Sequence, residues 1–174
     1  DPLWSRGLGD VYKRQGEPMA GAVACETFAL DRLVVIAPPG HPLVPQPGER
    51  QDDGEGPSCR FFDTLSHAFV GMALTSSNYA FLRELAKRHG RPLRCRIHVD
   101  DFTSIVRLVS QGVGLAIIPH SIYRRLGTAH AVACLPLEET WARRPLQLVR
   151  SSERPLTPTA QRLRSFLKGL ADKA

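Results

Sequence analysis

No stretch of this chain approaches the roughly eighteen consecutive apolar residues that a membrane-spanning helix needs, and the N-terminus carries no secretory apolar core. A membrane partner is therefore not expected. Cysteine is sparse: Cys25, Cys59, Cys95 and Cys134 are widely separated and form no C-x-x-C pair. Neither a zinc site nor a dithiol redox motif is supported, and no other cofactor is signalled. Reduced thiols in a cytoplasmic protein fit this usage best, although spacing alone does not decide against a disulfide. G-x-S-x-G is missing, and no Ser/His/Asp order can be built on the available hydroxyls, which argues against nucleophilic catalysis. The formal charge is +6, yet the basic residues recur as scattered pairs (Lys87-Arg88, Arg124-Arg125, Arg143-Arg144) without interleaved aromatics. A DNA-binding surface would cluster them on one helix face. They read as solvated surface charge, of a sign that favours a small anionic ligand.

What is present is most legible from Arg94 to Pro119, RCRIHVDDFTSIVRLVSQGVGLAIIP. Leu93, Cys95, Ile97 and Val99 alternate with Arg94, Arg96 and His98, which predicts a half-buried strand with the apolar set inward. Asp100 and Asp101 offer N-cap chemistry for a helix whose apolar face is Ile105, Val106, Leu108 and Val109. Gly112 suits the helix end, Gly112-Val113-Gly114 reads as a helix-to-strand turn, and Leu115 to Ile118 is an unbroken apolar run ended by Pro119. This strand–helix–strand unit predicts an α/β protein whose sheet is covered on both faces.

Elsewhere, strands are expected at Ala22 to Phe28, Arg32 to Ala37, Phe69 to Met72, Ala131 to Leu135 and Leu146 to Val149. Short helical turns are expected at Phe61 to Ser66 and Ser121 to Leu126. A helix opens after Thr75-Ser76-Ser77, carries Phe81, Leu82, Leu85 and Ala86 inward, and ends at Gly90. The last helix has Thr157 as N-cap and Pro158 at its first position, with Leu163, Phe166, Leu167 and Leu170 as one inward stripe. Residues 45–57, PQPGERQDDGEGP, read as a surface loop. Residues 1–15 show neither period and read as a non-native leader, so that the chain would be a fragment.

The runs RLVVIAPPGHPL, FVGMALTSSNYAFLRELAKRHGRPLRCRIHVDDFTSIVRLVSQGVGLAIIP and LEETWARRPLQLVR, in this order and spacing, resemble the effector-binding domain of LysR-type transcriptional regulators. The resemblance implies a periplasmic-binding-protein-like fold of type 2 with two lobes, the first of them incomplete. Residues 16–40 would supply part of lobe I and a first crossover strand, residues 41–119 lobe II, and residues 120–174 the rest of lobe I with the C-terminal helix. Leu33 to Ala37 and Leu115 to Ile118 would be the crossovers. A small effector would bind between the lobes of a bacterial, cytoplasmic regulator that forms a homo-oligomer. DNA would be contacted only through an N-terminal domain absent from this sequence.

Within that frame, Thr75, Ser76 and Ser77 are the best effector-binding candidates. Three hydroxyls and the free N–H groups of a helix start converge on one spot, suited to a carboxylate. One of the hydroxyls acting simply as a cap is the plainer alternative. Phe102 and Thr103 occupy the next strand-to-helix corner, where ligands bind in open α/β sheets, against a plainer role of Phe102 as core. Pro119 and His120 end the second crossover and complete the set, against a plainer role of His120 as a surface or capping histidine. A metal held by His98, Asp100 and Asp101 would need His98 to share the side of the two carboxylates. Two rivals remain: a transport receptor of the same fold, and an enzyme on the same scaffold, for which no catalytic constellation is visible.

Overall fold

The computed structural model describes residues 12–15, 23–45 and 57–171. Most of the expected surface loop at 45–57 and most of the 1–15 segment lie outside the described residues. The chain divides into two compact units, one of residues 1–31 and 143–174, the other of Arg32–Ala142. The strand β2 (Val23–Ala37) contributes to both. Sequence reading split β2 in two near Leu30, but no Gly or Pro interrupts Val23–Ala37, and the strand runs through.

In the first unit, β7 (Arg143–Ser151) lies between β2 and β1 (Tyr12–Gln15). β1 and β7 pair antiparallel, Tyr12 opposite Val149 and Gln15 opposite Leu146. Tyr12–Gln15 thus forms a strand in a segment whose sequence shows no strand period. Leu148 and Ala160 are buried together, with Phe28, Leu156 and Leu167 packed on them, so α5 (Pro158–Ala171) lies on this sheet. The Thr157 hydroxyl accepts the Ala160 N–H at 3.3 Å, the expected cap. Phe166 departs from expectation, being 63 % exposed. It sits one residue, about 100° of rotation, from Leu167, and the inner line of α5 is set by Ala160 and Leu167. Glu26 on β2 accepts from Arg164 Nε at 2.6 Å and from Lys168 Nζ, two α5 residues one turn apart.

In the second unit, residues 33–37 of β2 are flanked by β5 (Ala116–Pro119) and β6 (Ala133–Pro136), both antiparallel; Val34 faces Ile118 on one side and Pro136 on the other. The continuous apolar run is explained by two cores. Leu33, Val35, Ala37 and Ile117 point into one, Val34, Ile36, Ala116 and Ile118 into the other. β3 (Phe69–Met72) pairs in parallel with β4 (Cys95–Val99) and, through Phe69 and Leu115, with the approach to β5. The helix α2 (Ser77–Arg88) puts Leu82 and Ala86 into the first core. Opposite it, α3 (Phe102–Ser110) puts Ile105, Val106 and Val109 into the second. The short α1 (Phe61–Thr64) supplies Phe61, edge-on to Trp141 at 5.4 Å, and α4 (His120–Leu126) packs on the second core through Ile122 and Tyr123. Gly90 and Gly112 end α2 and α3 with φ of +67° and +78°, as their positions suggested.

One local prediction fails in an informative way. Phe69 pairs with Cys95 but Val70 with Ile97, so Arg96 is an extra residue and β4 is bulged. The bulge reverses the facing of everything after it. His98 joins Cys95 on the α2 face, while Ile97, 40 % exposed, turns to the α3 side. Gly71, opposite His98, leaves them room: a Cβ there would lie 3.0 Å from both Cys95 Sγ and His98 Nδ1.

Candidate effector-binding edge

Parallel β3, β4 and the approach to β5 deliver three helix starts, α2, α3 and α4, to one edge of the second unit. The pairing order β4–β3–β5 makes the α2 corner the middle one. That corner is tightly built. The Ala73 N–H donates to the Val99 carbonyl and the Ser76 N–H to the Ala73 carbonyl, both at 2.8 Å. Ser76 is the N-cap, its hydroxyl accepting the Asn78 N–H at 3.2 Å. Thr75 and Ser77 are exposed, and among the described residues neither hydroxyl has a hydrogen-bond partner. The three hydroxyls therefore divide: one caps, two are available.

The electrostatics favour the α2 corner over that of α3. The first turn of α2 contains no acidic residue, so its N-terminal dipole is open to an anion, worth about 0.3–1 kcal/mol near the surface. At α3 the equivalent position is taken. Asp101 is the N-cap, its Oδ1 accepting the Ser104 N–H at 2.9 Å and its Oδ2 the Ser104 hydroxyl at 2.7 Å. Those bonds, the hydroxyl first, hold the Asp101 carboxyl below its ordinary range. Phe102 packs against the second core and is half-buried, while Thr103 is exposed beside the cap. Pro119 is the N-cap residue of α4, and His120 begins that helix with its ring stacked toward Tyr123 at 6.1 Å.

Sequence reasoning missed Asn78 here and weighed His98 only as a metal ligand. Asn78 Nδ2 donates to the Ile117 carbonyl at 3.3 Å, tying the first turn of α2 to β5. His98 Nδ1 donates to the Met72 carbonyl at 2.9 Å, and its ring meets that of Tyr79 edge-on at 4.7 Å. A polar residue two places after a cap is a weak hint for the first. Nothing local signals the second, because the bulge decides it. With His98 bound to Met72 and Asp101 capping α3, these side chains are committed to the protein itself rather than aimed at a shared metal position.

A separate hollow of about 160 Å³ lies in the first unit, lined by Ala24, Cys25, Glu26, Leu148, Arg150, Leu156 and Arg164. Of its three charged residues, Glu26 and Arg164 already pair with each other. The free hydroxyls and open helix start at Thr75–Ser77 make the α2 corner the better binding candidate.

Among the described residues, no helix is long and apolar enough to cross a membrane. Comparison with curated proteins gives no match. Solved structures do match. The regulatory domain of CcmR from Synechocystis, in complex with 2-PG, superposes with a TM-score of 0.73 at 19 % identity, over 93 % of this chain and 73 % of that one. The effector-binding domain of QuiR, in complex with shikimate, gives 0.67 at 19 % identity, over 94 % and 72 %. CbnR, a LysR family transcriptional regulator, gives 0.61 at 17 % identity, over 93 % of this chain and 52 % of that one. The chain thus spans about three-quarters of the isolated domains and about half of CbnR. At these identities the structures establish the periplasmic-binding-protein-like α/β fold. The LysR substrate binding domain model matches residues 6–172, and the chain belongs to that family, a family of transcription regulators and not of enzymes.

Proposed function

We propose that this chain is the sensor of a cytoplasmic, oligomeric regulator and that it binds a small anionic metabolite, recognised through a carboxylate, without altering it chemically. The observation that carries this reading is the α2 corner: two exposed hydroxyls, Thr75 and Ser77, without a hydrogen-bond partner among the described residues, at a helix N-terminus with no acidic residue in its first turn. Phe102, Thr103, Pro119 and His120, on the neighbouring corners of the same edge, supply the flanks. Each charge-assisted hydrogen bond from such a corner to a carboxylate contributes about 1.5–3 kcal/mol, so two or three suffice for a metabolite sensor. Shikimate, a carboxylic acid, sits in the QuiR domain and 2-PG in that of CcmR. A ligand that binds one conformation more tightly than another shifts the population toward it, and that shift is passed to the oligomer. Base-specific DNA reading belongs to another part of the regulator.

Replacing Thr75 and Ser77 together by Ala tests this. Among the described residues neither hydroxyl has a hydrogen-bond partner, so folding stability stays within about 0.5 kcal/mol, whereas Ser76→Ala alone costs about 1 kcal/mol through its cap. In the full-length regulator the double substitution weakens the effector response and leaves basal DNA binding intact. An unchanged response defeats the assignment. A transport receptor of the same fold would show saturable binding with no effect on transcription.

A further inference from the structure

We infer that His98 is a positioning residue for the α2 corner: it ties the end of β3 to β4 and to the first turn of α2, holding Thr75–Ser77 in one geometry before a ligand arrives. The inference rests on reading that corner as the effector site. His98 Nδ1 donates to the carbonyl of Met72, the last residue of β3, at 2.9 Å. Three residues later the chain enters Thr75. The same ring packs edge-on, at 87°, against Tyr79, two residues beyond Ser77 and buried. One imidazole thus touches the chain on both sides of the three hydroxyls.

The arrangement depends on the β4 bulge at Arg96, without which His98 would face α3. It depends also on Gly71, whose missing side chain leaves the ring its place. Two further ties act on the same loop, Ala73 N–H to the Val99 carbonyl and Asn78 Nδ2 to the Ile117 carbonyl. Of the three, only the His98 contact is made by a side chain that reaches both ends of the corner. A site held in its binding geometry spends less of the ligand's binding free energy on ordering. A β4 side chain thereby acts on affinity without touching the ligand.

The bond requires a proton on Nδ1, because a carbonyl only accepts. Long-range nitrogen-15 NMR of the whole chain at pH 8 is expected to show His98 with Nδ1 protonated and Nε2 bare. The reverse tautomer overturns the proposal. Amide hydrogen exchange then compares His98→Leu, which removes the donor, with His98→Asn, whose Nδ2 replaces it. The Leu variant is expected to exchange roughly tenfold faster at Ala73, Ser76 and Asn78, with the Val34–Ile118 ladder unchanged and protection restored in the Asn variant. Equal protection in wild type and Leu variant, or no recovery with Asn, overturns it. Should the Leu variant not fold, the wild-type tautomer and His98→Asn still decide. No ligand enters these measurements, so their failure leaves the effector reading standing, and an unchanged effector response on Thr75/Ser77 substitution leaves the His98 result standing.

Discussion

Gly114→Ala is expected to be among the most damaging small substitutions in the second unit. The residue ends the turn from α3 into β5, where that turn passes the start of β3. A Cβ on residue 114 would lie 2.5 Å from the Ala68 carbonyl oxygen, 3.0 Å from the Ala68 carbonyl carbon and 3.3 Å from the Phe69 carbonyl carbon. All three are backbone atoms, so no side-chain rotation relieves the clash. The two segments must part by about half an ångström or more, and that distance is measured across the bonds joining them. The Leu115 N–H donates to Ala68 at 2.9 Å, and the Val70 N–H donates to Leu115 at 2.8 Å. Overpacking costs about 1–3 kcal/mol and each weakened hydrogen bond about 1 kcal/mol, which together place the loss near 3 kcal/mol. Gly112→Ala, two residues away, isolates a different cause. Its φ is +78° with nothing within 4 Å of a Cβ, so it costs only the left-handed conformation, about 1–2 kcal/mol. Urea unfolding of the two variants beside the wild type reads the difference. If Gly114→Ala unfolds within 0.5 kcal/mol of the wild type, or if Gly112→Ala proves the worse, the steric argument is wrong.

Two further outcomes concern charge. The hydrogen bonds from Arg164 and then Lys168 pull the Glu26 carboxyl from 4.5 down to about 2. A carboxyl depressed in the folded state adds stability above its unfolded pKa and loses it as pH falls through the folded value. Glu26→Gln should therefore flatten the fall in stability between about pH 4.5 and 2. Partial exposure of all three side chains keeps the effect at neutral pH to about 1 kcal/mol or less, diminishing with salt; an unaltered acid limb would remove Glu26 from the account. The second outcome is chemical. Burial first, and the Glu139 and Glu138 carboxylates after it, push the Cys59 thiol up to about 12, while burial lifts Cys95 and Cys134 to about 11. All three should resist iodoacetamide in the native protein at pH 8 and react on unfolding; rapid native labelling of Cys59, read by peptide mass, would contradict its burial.

The sequence was legible where a signal and its consequence lie within one turn or one strand. Asp101, Thr157 and Pro158 announced helix starts because a cap acts on amides two or three residues away. Gly90 and Gly112 announced helix ends because positive φ is a property of the residue itself. Residues 33–37 and 115–118 announced strands buried on both faces because no polar residue interrupts them, and they lie side by side with Val34 against Ile118. Legibility failed where one segment's meaning is set by another. The alternation of Cys95, Ile97 and Val99 is real in composition, yet the extra residue Arg96 opposite the Phe69–Val70 step reverses its phase. No pattern within β4 records that step. Phe166 satisfies a helical stripe by spacing, but the width of the surface offered to α5, filled by Phe28, Leu148 and Leu156, determines which residues of the stripe are covered. The candidate site divides the same way. Three hydroxyls before a helix are visible in one dimension. That Ser76 alone caps while Thr75 and Ser77 remain available follows from the path between Met72 and Tyr79, and that path is held by His98 and Asn78 from outside the hydroxyl triplet. A site read from sequence therefore names the groups that touch a ligand more readily than the groups that aim them, because aiming is done across strands.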